Sequence, residues 1–212
     1  MKKGLFALLM AVAMVVPVFA KGQGDFDIVG KIGATINPVV VYDGNPADYS
    51  YDQESGLSIA VEGFYYLLPE LSLGLGINYQ ADSALKNTYE NRDLKHGATN
   101  VYLTIKPTAT IDSKIFTALY AMTQIGYGLN RLGGDGYSLE EIENDALYWG
   151  LGAGVEIKNS FIFEFVFSTS YYKMKQPLYT VVIDETHTKT YYSTQDMRNT
   201  ALTVFVGYKF NV

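Results

Sequence analysis

Residues 71–80 read Leu71-Ser72-Leu73-Gly74-Leu75-Gly76-Ile77-Asn78-Tyr79-Gln80. One alternate set is Leu71, Leu73, Leu75, Ile77 and Tyr79; the other is Ser72, Gly74, Gly76, Asn78 and Gln80. A strand sends successive side chains to opposite faces and separates the two sets completely, whereas a helix mixes them. The stretch is a strand with one apolar face and one small, polar face.

The same split recurs along the chain. Leu57, Ile59, Val61, Gly63 and Tyr65 oppose Ser58, Ala60, Glu62, Phe64 and Tyr66. Leu147, Trp149, Leu151, Ala153, Val155 and Ile157 oppose Tyr148, Gly150, Gly152, Gly154 and Glu156. Phe161, Phe163, Phe165 and Phe167 oppose Ile162, Glu164, Val166 and Ser168. Leu202, Val204, Val206, Tyr208, Phe210 and Val212 oppose Thr203, Phe205, Gly207, Lys209 and Asn211. Weaker alternation runs through 25–37, 99–111 and 115–129. This predicts eight strands of roughly 10–14 residues, the length of a tilted strand crossing a bilayer. Short turns follow at Pro69-Glu70, Asp112-Ser113-Lys114 and Asn159-Ser160, and long polar loops at 38–55, 81–97, 130–146 and 174–197. Short connections on one side and long ones on the other are the layout of an all-β, eight-stranded antiparallel up-and-down transmembrane β-barrel.

A water-soluble barrel turns its apolar face inward, a membrane barrel outward. The aromatic residues decide between them. On the apolar face Tyr79, Tyr127, Trp149 and Tyr171 lie beside the long loops, and Phe26, Tyr65, Phe161, Tyr208 and Phe210 beside the short turns or termini. Amphipathic rings favour both membrane interfaces, so a bilayer sorts them by height, and water does not. Eight strands make the smallest bacterial barrel, with an interior about filled by side chains, so a pore of porin width is not expected.

Composition agrees. The chain has 212 residues, 48% hydrophobic and 18% charged, with 14% aromatic, too apolar and aromatic for a disordered chain. It holds no cysteine, which excludes a disulfide framework, a thiolate metal site and a lipobox anchor. A net charge of -6 and a pI near 4.9 argue against nucleic-acid binding. Residues 1–20 hold Lys2 and Lys3, an apolar run from Leu5 to Val16, Pro17 and Val18-Phe19-Ala20. This is the pattern of a secretory signal peptide cleaved after Ala20, too short for a membrane-spanning helix. The barrel domain is then 21–212, and mass spectrometry of the native protein is expected to find Lys21 at its N-terminus.

The last strand, Phe205-Val206-Gly207-Tyr208-Lys209-Phe210-Asn211-Val212, carries a resemblance. Residues 21–212 resemble the eight-stranded outer-membrane β-barrel family of the OmpA/OmpX type. That family usually ends in an aromatic residue, where this chain has Val212. The resemblance implies residence in the bacterial outer membrane among its lipids, and insertion by the barrel-assembly machinery through the C-terminal strand. No cell-wall-binding domain is expected after the barrel, since the chain stops at Val212.

With the polar face inward, Asp27, Lys31, Glu62, Lys106, Glu156, Glu164 and Lys209 enter the lumen. Four acids against three bases are nearly balanced, as buried charges require. Closure brings Asp27 near Lys209. Glu156 and Glu164 fall opposite or diagonal across the 159–160 turn, so a lysine such as Lys106 is expected to reach them, or one of them to hold a proton. The network reads either as a structural plug or as a gated ion path; the plug is the plainer reading.

Catalysis and cofactors have little support. The two histidines, His96 and His187, lie in predicted loops, and Ser193 follows the second. No His-x-x-x-His spacing suggests a metal. The acidic loops (Asp43, Asp48, Asp52, Glu54; Asp135, Glu140, Glu141, Glu143, Asp145) lack the alternate-ligand spacing of a calcium loop. Around Tyr179–Asp184 and His187–Ser193 the fourth loop is rich in β-branched and aromatic residues, as in a hairpin continuing above the membrane. Its edge suits capture of another chain by strand addition. The expected role is therefore structural or adhesion-like, through external loops that meet extracellular ligands. The alternatives are a narrow, porin-like channel or transporter for ions or small solutes and, third, a lipid-modifying enzyme.

Overall fold

The computed structural model describes residues 23–43, 49–86, 94–111, 113–134, 142–143, 147–158, 160–182 and 188–211. Its strands are β1 (Phe26–Asp43), β2 (Tyr49–Asp52), β3 (Gly56–Leu68), β4 (Leu71–Ala84), β5 (Leu94–Thr110), β6 (Phe116–Gly134), β7 (Ile142–Glu143), β8 (Leu147–Ile157), β9 (Phe161–Val182) and β10 (Thr188–Asn211). Eight of them pair antiparallel in chain order, β1-β3-β4-β5-β6-β8-β9-β10, and β10 returns to β1 from Asp27↔Asn211 to Asp43↔Asp196. The sheet is a closed ring. Closure matters in hydrocarbon, where an open edge leaves backbone donors and acceptors without partners. Short β2 and β7 lean on β1 and β9 at the long-loop end.

The face assignment holds on every ring strand. Burial on β4 alternates without exception from Ser72 to Gln80; Ser72 is 0% exposed and Leu75 is 61%. Ile32, Leu57, Ile59, Leu75, Leu103, Ile125, Leu151 and Val206 form an outward aliphatic belt. Exposed tyrosines Tyr79, Tyr127 and Tyr171 lie above it; Phe26, Tyr65, Phe161, Tyr208 and Phe210 lie below. A continuous apolar surface of this extent is tolerated in lipid and not in water.

Large inward side chains lie across glycines of the neighbouring strand. Phe64 faces Gly74, Tyr102 faces Gly76, Tyr120 faces Gly154 and Met122 faces Gly152. A Cβ on Gly76 would come within 2.6 Å of the Tyr102 ring, and one on Gly154 within 2.5 Å of the Tyr120 hydroxyl. These glycines give the rings room to lie flat inside a narrow barrel.

The strands are longer than the 10–14 residues expected. β1 runs 18 residues, β5 17, β6 19, β9 22 and β10 24, so the predicted loops at 38–55, 81–97, 130–146 and 174–197 are partly strand. Backbone pairing continues past the outer aromatic level, where the outward face no longer meets lipid and the contrast between the two faces fades. β1 and β10 break register between Ile36 and Val39, where Asn37 takes a left-handed φ of 42°. Residues 1–20, the expected signal peptide, lie outside the described residues, as do His187 and most of the acidic third loop.

Candidate functional site

From the short-turn end upward, the ring strands together stack their inward chemistry in layers. Charges among tyrosines and Gln124 come first, then amides and hydroxyls, and last an apolar cap. The seven lumen residues expected from sequence, Asp27, Lys31, Glu62, Lys106, Glu156, Glu164 and Lys209, are all 4% exposed or less.

Two lysines each bridge two carboxylates. Lys31 Nζ lies 2.8 Å from Glu62 Oε2 and 2.6 Å from Glu164 Oε1. Lys209 Nζ lies 2.5 Å from Glu156 Oε2 and 3.9 Å from Asp27 Oδ2, across the β10–β1 closure. Lys106 Nζ stands 3.6 Å from Glu156 Oε1, over the rings of Tyr120 (3.9 Å) and Phe64 (4.7 Å). Glu156 pairs with Ile162 and Gly154 with Glu164, so the two glutamates are diagonal. Lys106 thus meets Glu156, while Glu164 goes to Lys31.

Sequence reasoning missed the hydroxyls that finish this network. Tyr66 donates to Asp27 (2.6 Å), Tyr102 to Glu62 (2.8 Å) and Tyr120 to Glu164 (3.0 Å). Gln124 Nε2 donates to Glu62 (3.2 Å), and Tyr148 donates to Gln124 Oε1 (2.8 Å). Tyr66 and Tyr148 already stood on the polar face of their alternation, which was the available signal. Buried carboxylates are tolerable when cations and donors satisfy them together. Chemically the assembly is a crosslink among β1, β3, β5, β6, β8, β9 and β10, filling the lumen at its lower half.

Above it stand Asn78, Gln80, Asn100, Asn130, Ser170 and Asn199, all buried. Ser170 donates to Asn130 Oδ1 (3.0 Å), which also meets His96 Nε2 at 3.3 Å. Val40, Leu85, Tyr172 and Met197 close the top as an apolar cluster. His96 pairs with Ser83 and Leu132, beyond Tyr79 and Tyr127 and so outside the membrane span. Its ring stacks on Tyr172 at 5.7 Å. Burial pushes the imidazole down to about 4, against the Asn130 hydrogen bond, so it is neutral at pH 7. His96 was expected in a loop; it is instead a buried strand residue, 0% exposed. Among the described residues no cluster of His, Cys, Asp and Glu suits a metal ion.

The outer membrane protein β-barrel domain model matches residues 5–210. Among solved structures, the chain is similar to the outer membrane protein AlkL determined in lipid bilayers, at 13% identity. The match spans 93% of this chain and 96% of that one, with a TM-score of 0.50. It is also similar to OprG from Pseudomonas aeruginosa (12% identity, 92% and 100%, TM-score 0.49). A third is Ail, the attachment invasion locus protein of Yersinia pestis (15% identity, 89% and 99%, TM-score 0.44). No curated protein matches the chain in sequence.

Proposed function

The chain belongs to the outer membrane protein β-barrel domain family, and we propose that it works at the outer surface of that membrane, binding an extended segment of an extracellular ligand along its β9–β10 hairpin. The observation that carries this reading is the hairpin's unpaired edges. β9 and β10 stay paired from Phe161↔Tyr208 out to Val182↔Thr188. β1 accompanies β10 only as far as Asp43↔Asp196, and β7 accompanies β9 only as far as Ile142↔Met174. Beyond those pairs the hairpin is a two-stranded ribbon with both outer edges unpaired among the described residues. Exposed edges offer a row of backbone donors and acceptors to an incoming strand. The lumen serves this role as a rigid support, crosslinked by its ion pairs and closed to bulk flow. His96, a buried packing residue, lends no support to a catalytic role.

The test replaces Gln176–Ser193 by an Asn-Gly turn, which joins the already paired Lys175 and Thr194. Cells displaying this variant should lose attachment to matrix-coated surfaces while the barrel keeps its heat-modifiable migration on gels. Unchanged attachment would overturn the reading. Recording the full protein in a planar bilayer addresses the runner-up, and a silent membrane is expected. Steady cation-leaning current steps would make conduction through the lumen the leading role. A signal peptide cleaved after Ala20, and recognition of the C-terminal strand by the assembly machinery, complete the proposal as its export route.

A further inference from the structure

The amides above the plug form a grid on three adjacent strands. Asn78 on β4, Asn100 on β5 and Gly128 on β6 are successive cross-strand partners; so are Gln80, Ala98 and Asn130, one inward step nearer the long loops. All four amides are nine-tenths buried or more, at 8% for Asn78, 4% for Gln80 and Asn100 and 3% for Asn130. Asn78 Oδ1, Asn100 Oδ1 and Gln80 Nε2 have no hydrogen-bond partner. Leaving such groups buried without a partner is costly, so three together in one patch ask for a partner from outside the chain.

Convergence is visible at Gly128. A Cβ there would lie 2.8 Å from Asn100 Oδ1, 3.2 Å from Ser170 Cβ and 3.6 Å from Asn130 Nδ2. The bare glycine lets the Asn100 amide lie against the wall beside Asn130 and Ser170, and Ala98 keeps the centre of the second row small. The unpartnered chemistry is mixed: two amide oxygens accept and one amide nitrogen donates. It is also uncharged. Arg131, nearby, is committed to Asp82, Thr99 and the Gln80 carbonyl.

We propose that this grid is a binding site for a small uncharged solute carrying both a hydrogen-bond donor and an acceptor, of the amide or polyol class. An anion finds no uncommitted cation among the grid residues, and a cation meets the amide donors of Gln80 and Asn130. Charged isosteres are therefore rejected by the desolvation they suffer. The site lies between the ionic plug and the apolar cap, so occupancy does not require a conducting lumen.

Acetamide and its charged isostere acetate separate the possibilities. The full protein, extracted from membranes into lipid nanodiscs, is titrated while the side-chain amide signals of Asn78, Gln80 and Asn100 are followed by NMR. Acetamide should give saturable shifts in about the millimolar range expected of so small a ligand, and acetate should bind at least ten-fold more weakly. Asn100→Leu should weaken acetamide ten-fold or more without lowering the unfolding midpoint, because it removes an unsatisfied group. Gly128→Ala, which displaces the flexible end of Asn100 and presses lightly on Ser170, is the second variant should the first fail to fold. Shifts that never saturate, an equal response to acetate, or binding unchanged in the variant that folds would overturn the site and leave the grid a holder of water alone.

Discussion

Two halves of one lumen solve burial differently. In the lower half every carboxylate meets a lysine, and tyrosine hydroxyls or Gln124 take further oxygens. In the upper half the polar groups are neutral, and Asn78, Asn100 and Asn199 each keep an unpartnered oxygen. A buried charge unpartnered costs far more than a buried amide unpartnered. The lower half therefore has little freedom in its residues, while the upper half tolerates incomplete satisfaction and retains capacity to bind.

The sharpest way to break this contrast is Lys31→Met. It strands Glu62 and Glu164 without their shared cation, and a loss of about 3–5 kcal/mol is expected in urea unfolding from lipid vesicles. A loss below about 1 kcal/mol would mean that the lower half is hydrated and that the contrast fails. Acidity probes the upper end. His96 has a pKa near 4 when folded against 6.5 in the unfolded chain, so the unfolded chain holds more protons between those values. Stability is full above about pH 6.5 and falls by up to about 3 kcal/mol as the pH drops toward 4. Hydrogen exchange at the outer end of β5 should accelerate over that window, and His96→Gln should flatten the response.

How much of this was legible beforehand depends on what a residue's face determines. Alternation such as Leu71–Gln80 fixed strands, inward residues and aromatic levels, because facing follows from parity alone. The lengthening of β9 and β10 was legible from composition, in the β-branched and aromatic residues that predicted a hairpin above the membrane; that of β1, β5 and β6 was not, since parity carries less contrast there. Nor was it readable that Lys31 rather than Lys106 takes Glu164. Those residues sit on strands separated by long loops, where register depends on ring closure and stagger and not on a turn. The hydroxyl donors Tyr102 and Tyr120 hid for another reason: tyrosine serves both the girdles and the interior of this chain.

Lys106→Met is the intermediate case. Glu156 keeps Lys209, so a loss of about 1–3 kcal/mol is expected, less than for Lys31. A rise in ion leakage through planar bilayers, with stability unchanged, would instead mark Lys106 as part of a conduction path. The smallest effect belongs to Thr104→Val. Its buried hydroxyl is unpartnered, so the midpoint should stay within about 0.5 kcal/mol or rise slightly. A marked loss would reveal a partner for Thr104 and bring it into the lower-half network between Tyr102 and Lys106.

The pairing of rings with glycines also guards the barrel against slippage. Parity alone leaves a two-residue slide undetected, because every side chain returns to its proper face. Between β6 and β8 the native register sets Tyr120 on Gly154, Met122 on Gly152, Gln124 on Gly150 and Gly126 on Tyr148. Slid one way, Gln124 collides with Tyr148. Slid the other, Tyr120 lands on Glu156 and Gly126 faces Gly150 with nothing to fill the wall. Large and bare positions thus work as a key and its wards, and only one alignment of the two strands turns.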